Sequence, residues 1–238
     1  MQHPEFLSNQ KRKPLLEVIE SKEVRKRPFL DYRRFIQNYY DGLPGALTGF
    51  TGWVTGHETL AGRLIRHSRF DVRGCKRILD AACGNGRYSR FLLRTADADA
   101  EITAFDLSVR MLRRARKRLK SPRVSFAAAD LTRMPYPDGH FDAAVCGWVL
   151  EHLPDPRPGL RSLARILRPG GKLLLLATED TFNGALTSKL WHCRTYNRQE
   201  LLRMCKEAGL SLTRELWFSR FHAWLRLGGI IIELKRDE

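Results

Sequence analysis

Residues 77–89, Arg-Ile-Leu-Asp-Ala-Ala-Cys-Gly-Asn-Gly-Arg-Tyr-Ser, constrain the fold of this chain more than any other segment. The apolar pair Ile78 and Leu79 predicts the end of a buried strand, and an apolar pattern typical of a helix resumes after Gly86. A strand, a glycine turn and a helix in this order leave unpaired backbone N–H groups at the start of the helix. Glycines also let a ligand come against the backbone. The segment therefore predicts a site for a nucleotide-like cofactor.

Two common phosphate-binding motifs do not match this turn. No Gly-Lys-Ser/Thr follows it, which excludes a P-loop. Ser89 stands three residues after Gly86, where the dinucleotide fingerprint has its third glycine. The glycine pair alone therefore does not identify the cofactor.

The downstream sequence contains further short apolar segments that end in polar residues. Glu101–Leu107 predicts a second strand that ends in Asp106, 20 residues beyond Gly86. An acidic residue at this point is placed to accept hydrogen bonds from two ribose hydroxyls. Three more strands are predicted at Val124–Ala128, Phe141–Trp148 and, after a turn at 167–171, Lys172–Ala177.

Six motifs follow one another in this region: Leu-Asp-Ala-Ala-Cys-Gly-Asn-Gly, Phe-Asp-Leu-Ser, Ala-Asp-Leu, Phe-Asp-Ala-Ala-Val-Cys, Leu-Glu-His-Leu and Leu-Arg-Pro-Gly-Gly. In order and spacing they resemble the class I S-adenosylmethionine-dependent methyltransferases of the small-molecule type, over residues 72–215. The resemblance implies an α/β fold with a doubly wound, mostly parallel seven-stranded sheet whose last strand is antiparallel. It also implies S-adenosyl-L-methionine as the cofactor.

The resemblance further assigns parts of the cofactor to particular side chains. Asp80 would line the methionine end, Asp106 would hold the ribose, and Asp130 would accept the adenine amino group. Cys146 would border the sulfonium, and Ala82 departs from a glycine that many relatives carry. The complete set of implied contacts is Asp80, Ala82, Gly84, Asn85, Gly86, Asp106, Leu107, Met111, Asp130, Leu131, Cys146 and Gly147.

Ordinary structural roles remain open for several of these side chains. Asp80 and Asp106 could cap the starts of helices. Leu107 and Met111 lie four residues apart and could belong to the core. Cys146 could be a small buried hydrophobic residue.

The candidate catalytic residue is His152, which follows the fourth predicted strand. Methyl transfer requires a nucleophile aligned behind the sulfonium. A general base is needed only where that nucleophile must lose a proton, and His152 could serve. A packing role is the alternative. Tyr39 and Tyr40 could close over the sulfonium by cation–π attraction, or could simply pack one face of a helix.

We expect one methyltransferase domain with an N-terminal extension. Residues 1–28 predict a basic arm, residues 29–70 a helical lid or substrate cap, and residues 71–238 the S-adenosylmethionine-binding domain. Beyond the fifth strand the sequence predicts four elements: a loop at Thr178–Thr195, a helix at Arg198–Glu207 capped by Asn197 and ended by Gly209, and closing strands at Leu210–Phe218 and Gly229–Lys235.

Composition bears on the compartment. The five cysteines, at positions 75, 83, 146, 193 and 205, form no Cys-x-x-Cys pair and favour reduced thiols in the cytoplasm. No zinc-ligand spacing is present, so no metal is expected. No apolar run approaches the roughly 20 residues that cross a bilayer, and the first 15 residues do not resemble a signal peptide.

The chain is strongly basic, with 42 basic and 26 acidic residues and a net charge of +16. Such a charge favours polyanions, either nucleic acid or anionic lipid. An apolar stretch with two tryptophans at 217–227 favours a membrane surface, while a solvated basic face is the alternative. The charge clusters in the arm (Lys11, Arg12, Lys13, Arg25, Lys26, Arg27), on one predicted helix (Arg110, Arg113, Arg114, Arg116, Lys117, Arg118, Lys120, Arg123) and in a second helical stripe (Arg157, Arg161, Arg165, Arg168).

Three functions remain open at this point. We favour in-line methyl transfer to a small-molecule or lipid-like acceptor, by a cytoplasmic protein that contacts anionic membrane peripherally. The second is a methyltransferase of RNA or another macromolecule that uses the basic surface, although no RNA-binding module is recognisable. The third is a non-catalytic cofactor-binding scaffold, because fold alone does not fix function.

Overall fold

A computed structural model describes residues 28–42, 57–66, 69–224 and 228–238. The strands are β1 Arg77–Ala81, β2 Glu101–Asp106, β3 Val124–Ala128, β4 Phe141–Gly147, β5 Leu167–Ala177, β6 Leu210–Glu215 and β7 Ile230–Arg236. The helices are α1 Phe29–Asp41, α2 His57–Arg66, α3 Arg87–Thr95, α4 Val109–Leu119, α5 Arg157–Ile166, α6 Phe182–Trp191, α7 Arg198–Glu207 and α8 Arg220–Trp224. Residues 1–27 of the predicted basic arm and the segment 43–56 of the predicted cap lie outside the described residues.

The seven strands form one sheet in the order β3-β2-β1-β4-β5-β7-β6. Neighbouring strands from β3 to β5 are parallel, and β7 is antiparallel to both β5 and β6. This confirms the predicted sheet with its antiparallel last strand. The strand order reverses between β1 and β4, and the crevice outside the carboxyl ends of strands at such a point is where α/β sheets bind ligands.

The sheet is covered on both faces, which explains its apolar strands. In β5, Leu173 and Leu175 point into one core cluster, whereas Leu174 and Leu176 point into the other. All four are fully buried. Alternate residues of a strand face opposite sides, so a strand buried on both faces is apolar throughout.

Several strand ends differ from the sequence prediction, and β7 is Ile230–Arg236 where Gly229–Lys235 was predicted. β5 begins at Leu167, because the predicted turn at 167–171 is a bulge within the strand, with Gly170 at φ +72°. β4 ends at Gly147, because Trp148 adopts φ +53°, which breaks the extended backbone. β6 ends at Glu215, before the predicted Phe218.

The loop predicted at Thr178–Thr195 is wrong, because it contains α6. The Thr181 side chain accepts a hydrogen bond from the Gly184 N–H and starts this helix. The helix was missed because Asn183, Gly184, Thr187 and Ser188 are poor helix formers that favour a loop. The short helix α8 was also missed, since it lies in the connection that follows β6. By contrast, α7 has its predicted bounds and Asn197 caps it.

The predicted basic helices are shorter than their charge clusters. α4 ends at Leu119, so Lys120 and Arg123 lie outside it. Arg168 lies on β5 and pairs with Asp142, so it does not belong to the predicted helical stripe. No helix in the described part of the chain is long and apolar enough to cross a membrane.

Candidate active site

Asp80 lies at the carboxyl end of β1 and is buried. One of its oxygens, Oδ2, accepts hydrogen bonds from the backbone N–H of Ser89 at 2.8 Å and from its hydroxyl at 2.5 Å. Burial raises the pKa of Asp80 to about 6, although both bonds from Ser89 act to lower it. Asp80 therefore anchors the first turn of α3, the structural role that the sequence left open.

The turn after β1 contains three residues in the left-handed region. Gly84 has φ +53°, and a Cβ there would meet only Met111 Cε, at 3.7 Å. Gly86 has φ +80°, and a Cβ there would lie 2.9 Å from Leu119 Cδ1. Ala82 has φ +56°, which glycine adopts more readily than alanine. Gly84 thus keeps the crevice open, whereas Gly86 allows α4 to pack closely.

Asp106 connects this turn to the next one. Its Oδ2 accepts the Gly84 N–H at 2.9 Å, and its Oδ1 accepts the Ser108 N–H at 2.8 Å. Burial raises its pKa, and these backbone bonds oppose the shift. Met111 is buried, whereas Leu107 is 39% exposed, so the core alternative holds for Met111 and is wrong for Leu107.

Asp130 lies where the chain leaves β3. Its Oδ1 accepts hydrogen bonds from the backbone N–H and hydroxyl of Thr132, and its Oδ2 pairs with Arg33 of α1 at 3.0 Å. Burial acts to raise the pKa of Asp130, but these contacts outweigh it and lower the pKa below its ordinary value. Leu131 is buried beside it. In the same crevice wall, Asn85 accepts a hydrogen bond from Arg118 at 3.2 Å.

The end of β4 packs against α3. Cys146 is fully buried in the core, and burial raises the pKa of its thiol, so it fits the small hydrophobic role. Gly147 allows the ring of Tyr88 to approach, because a Cβ at Gly147 would lie 2.7 Å from Tyr88 Cε2.

Two buried oxygens near these strand ends have no hydrogen-bond partner in the described structure: Tyr88 Oη and Glu151 Oε2. The other oxygen of Glu151, Oε1, accepts hydrogen bonds from the N–H and hydroxyl of Thr178 at 2.8 and 2.9 Å. Burial raises the pKa of Glu151 to about 7. Buried polar groups normally have partners. Unpaired oxygens near these strand ends fit a ligand that brings hydrogen-bond donors, such as the ammonium group of S-adenosylmethionine.

His152 lies between two tyrosines of α1. Its Nδ1 is 2.8 Å from Tyr32 Oη, and its Nε2 is 3.3 Å from Tyr40 Oη. Tyr32 donates its single hydroxyl proton to the His192 carbonyl at 2.7 Å, so its oxygen accepts the Nδ1–H of His152. Burial lowers the pKa of His152 to about 4, with a smaller contribution from His192. At neutral pH the imidazole is therefore uncharged, with the lone pair of Nε2 facing Tyr40.

Aromatic rings surround His152 on its α1 side. Tyr40 stacks on Trp191 with ring centroids 6.3 Å apart and planes 2° apart, and Tyr39 meets Trp191 edge to face. The Tyr39 hydroxyl donates to the Leu190 carbonyl at 3.2 Å. In the described residues no group of three or more His, Cys, Asp or Glu side chains could hold a metal ion.

Residues 79–175 match a family model described as a methyltransferase domain. The ubiquinone/menaquinone biosynthesis C-methyltransferase UbiE of Pseudomonas paraeruginosa is 32% identical over 135 residues, which are 55% of this chain and 52% of that protein. The chain thus spans about half the length of the curated relatives it matches.

Two solved structures share the fold. The N-methyltransferase NodS from Bradyrhizobium japonicum, in complex with S-adenosyl-L-homocysteine, has a TM-score of 0.58 at 20% identity, over 77% of this chain and 87% of that one. The geranyl diphosphate C-methyltransferase from Streptomyces coelicolor, also with S-adenosyl-L-homocysteine, has a TM-score of 0.61 at 14% identity, over 75% and 76%. Residues 79–175 form a methyltransferase domain of the class I S-adenosylmethionine-dependent type. Both solved structures hold S-adenosyl-L-homocysteine, the demethylated form of the predicted cofactor.

The structure adds two tyrosines, Tyr32 and Tyr88, that the sequence did not single out, because both fall at apolar positions of helical patterns. Glu151 follows the fourth predicted strand with His152, near the expected place of the acceptor, and the structure buries it with one oxygen unpaired. The one signal for Glu151 in the sequence was its place after a buried-strand pattern. A carboxylate there is notable, since charged side chains are rarely fully buried without a partner.

Proposed function

We propose that this methyltransferase moves the methyl group of S-adenosylmethionine by in-line transfer to a small, lipid-like acceptor. The acceptor would bind between α1 and the turn at 150–152, where half-buried aromatic rings line the approach to His152. The names of two proteins to which the chain is similar point the same way: one acts in ubiquinone and menaquinone biosynthesis, and the other on geranyl diphosphate.

We further propose that residues on four strand ends hold the cofactor. Asp106 would accept the ribose hydroxyls, Asp130 the adenine amino group, and Glu151 a donor from the amino-acid end. When bound, the cofactor supplies an electrophilic methyl group, which the lone pair of the acceptor attacks while the carbon–sulfur bond breaks and its electrons stay on sulfur.

His152 would take the proton that the acceptor loses. Its Nε2 carries the lone pair for this purpose, because Nδ1–H is committed to Tyr32, and the proton would reach Nε2 through or in place of the Tyr40 hydroxyl, which lies 3.3 Å away. A base with a low pKa suffices, because the attacking atom becomes strongly acidic as its bond to the methyl carbon forms. The geometry of His152 between Tyr32 and Tyr40 is the observation that carries this proposal.

Residues 29–70 would form the cap over the acceptor. Within them, α1 contacts both sides of the crevice: Arg33 pairs with Asp130 on the adenine side, and Tyr32 reaches His152 on the acceptor side. A helix in this position would exclude water from the transferring methyl group.

The test is methyl transfer from labelled cofactor into lipid extracts, quinol-like compounds and RNA, for the wild type and His152→Gln. We expect label in the lipid or quinol fraction, and a loss of kcat of about 10²–10⁴ in the variant with unchanged cofactor affinity. Wild-type kcat should fall only on the acidic side, as His152 gains its proton. His140→Gln is the control, because His140 precedes β4 at the opposite end of that strand. Label in RNA, or normal kcat in His152→Gln, would contradict the proposal.

A further inference from the structure

The helix α6 buries small and polar residues and exposes large apolar ones, the opposite of most surface helices. Its buried residues are small or polar, namely Gly184, Ala185 and Ser188. Its large apolar residues are exposed: Phe182 is 55%, Leu186 47% and Leu190 62% exposed. They recur every four residues and so form one stripe along the helix. The apolar face of this helix is therefore directed away from the domain and exposed at its surface.

The helix α8 extends this apolar surface. Phe221 and Trp224 on α8 are 60% and 78% exposed. The strands that precede α6 and α8, β5 and β6, are both antiparallel to β7 and therefore point the same way. Both helices thus lie at the carboxyl edge of the sheet, where the crevice opens. We call Phe182, Leu186, Leu190, Phe221 and Trp224 the apolar rim.

The two segments that carry the apolar rim contain basic residues and no acidic ones. No acidic residue occurs between Asp180 and Glu200 or between Glu215 and Glu233, the stretches that contain α6 and α8. Lys189 and Arg220 are exposed on these helices. Exposed aromatic and aliphatic side chains beside cations suit the headgroup region of an anionic bilayer.

We propose that the apolar rim docks on an anionic membrane surface. Leu190 adjoins Trp191, which stacks on Tyr40 beside His152, so the rim leads directly to the proposed acceptor site. A lipid-like acceptor could then enter from the bilayer without crossing water. The docking proposal rests on the exposed residues of the rim. Only the entry of a lipid-like acceptor from the bilayer rests on the proposed function.

The test is co-sedimentation of the full chain with vesicles of phosphatidylcholine alone or mixed with phosphatidylglycerol. We expect binding to the anionic vesicles, weakening as salt rises from 0.1 to 1 M and the Debye length falls from about 10 to about 3 Å. Leu186→Gln with Leu190→Gln should reduce the partition coefficient by roughly tenfold or more. Leu212→Gln should leave it unchanged, because Leu212 is an exposed leucine on β6, away from the rim.

Calorimetric binding of S-adenosylmethionine verifies that each variant is folded. Equal vesicle binding by the wild type and the double variant would overturn the proposal. So would a dimer in light scattering that the double variant abolishes, since a second copy would then cover the rim. If vesicles bind as expected but no lipid or quinol is methylated, docking stands and the proposed acceptor fails.

Discussion

At the residue scale, polar groups are buried at the carboxyl ends of β1 and β4. Asp80 accepts two hydrogen bonds from Ser89. Glu151 accepts hydrogen bonds from Thr178 through Oε1, whereas its Oε2 has no partner in the described structure. The Tyr88 hydroxyl has no partner at all within the described structure. An unsatisfied buried group costs about 1–3 kcal/mol, so these positions reduce stability in the absence of ligand.

The substitution Tyr88→Phe tests this cost. It removes a buried unpaired hydroxyl and keeps the ring against Gly147, so the free energy of unfolding should rise by about 1 kcal/mol without cofactor. If the cofactor pairs with this hydroxyl, its affinity should fall in the same variant. Chemical denaturation with and without S-adenosylmethionine measures both effects.

Tyr196→Phe is the matched control, because its buried hydroxyl donates to the Leu150 carbonyl at 2.7 Å. This variant should lose about 0.5–1.5 kcal/mol, since one buried hydrogen bond is lost while the carbonyl keeps its bond from the Leu153 N–H. If Tyr88→Phe is destabilised as much as Tyr196→Phe, the Tyr88 hydroxyl has a partner after all.

At the element scale, α1 is attached mainly by polar contacts at its ends. Only Tyr32 and Ile36 of this helix are buried. At its C-terminus, Arg114 of α4 donates to the carbonyls of Tyr40 at 3.0 Å and Asp41 at 3.1 Å. A cation at the C-terminus of a helix also interacts favourably with the helix dipole. These contacts hold a helix that can open without disturbing the sheet.

Arg114→Gln should loosen α1 selectively. Because the lost bonds are charge-assisted, amide hydrogen exchange within 29–41 should accelerate by roughly tenfold while β1, β4 and β5 keep their protection. Arg113→Gln serves as the control, because Arg113 is the exposed neighbour on the same helix. Equal exchange in the two variants would show that apolar packing holds α1.

At the scale of the whole molecule, the sheet brings Asp80 and Glu151, two carboxyl groups with raised pKa values, to one edge. Desolvation raises the pKa of Asp80 to about 6 and that of Glu151 to about 7. Between pH 4 and 7 these two groups therefore bind more protons in the folded chain than in the unfolded chain. Their contribution to stability falls as pH rises through this window.

Cofactor binding should reverse this dependence. The positive cofactor interacts best with ionised carboxylates, so its binding should lower both pKa values and release protons. Affinity should thus increase from pH 5 to pH 8, by about tenfold for each pKa unit that binding removes. Calorimetry in buffers of different ionisation enthalpy measures the affinity and the protons released. Glu151→Gln should flatten the part of the curve near pH 7, and an unchanged curve would remove Glu151 from the site.

Several arginines of the predicted basic clusters make contacts within the fold. Arg165 donates to the carbonyls of Met134 and Tyr136 and pairs with Asp138. Arg123 donates to the carbonyls of Leu93, Ala100 and Asp97. Arg116 lies over the ring of Phe126. Part of the basic surface predicted to bind polyanions therefore stabilises the fold.

Most strand positions, the glycine turn and the places of Asp80, Asp106 and Asp130 were predictable from the residues alone, because they depend on local backbone conformation and on apolar periodicity. The Asn197 cap and the bounds of α7 were predictable for the same reason. The direction of the strands in a seven-stranded sheet came instead from the resemblance to a known family.

Only the tertiary structure decided what each buried or exposed side chain does. α6 escaped prediction because its segment contains asparagine, glycine, threonine and serine, which are poor helix formers, and only the tertiary structure shows that its apolar stripe faces solvent. The unpaired oxygens of Tyr88 and Glu151, and the clamp of Tyr32 and Tyr40 on His152, arise between segments up to 120 residues apart. Such contacts follow from how the chain packs, because no local pattern specifies which distant groups will share a dry crevice.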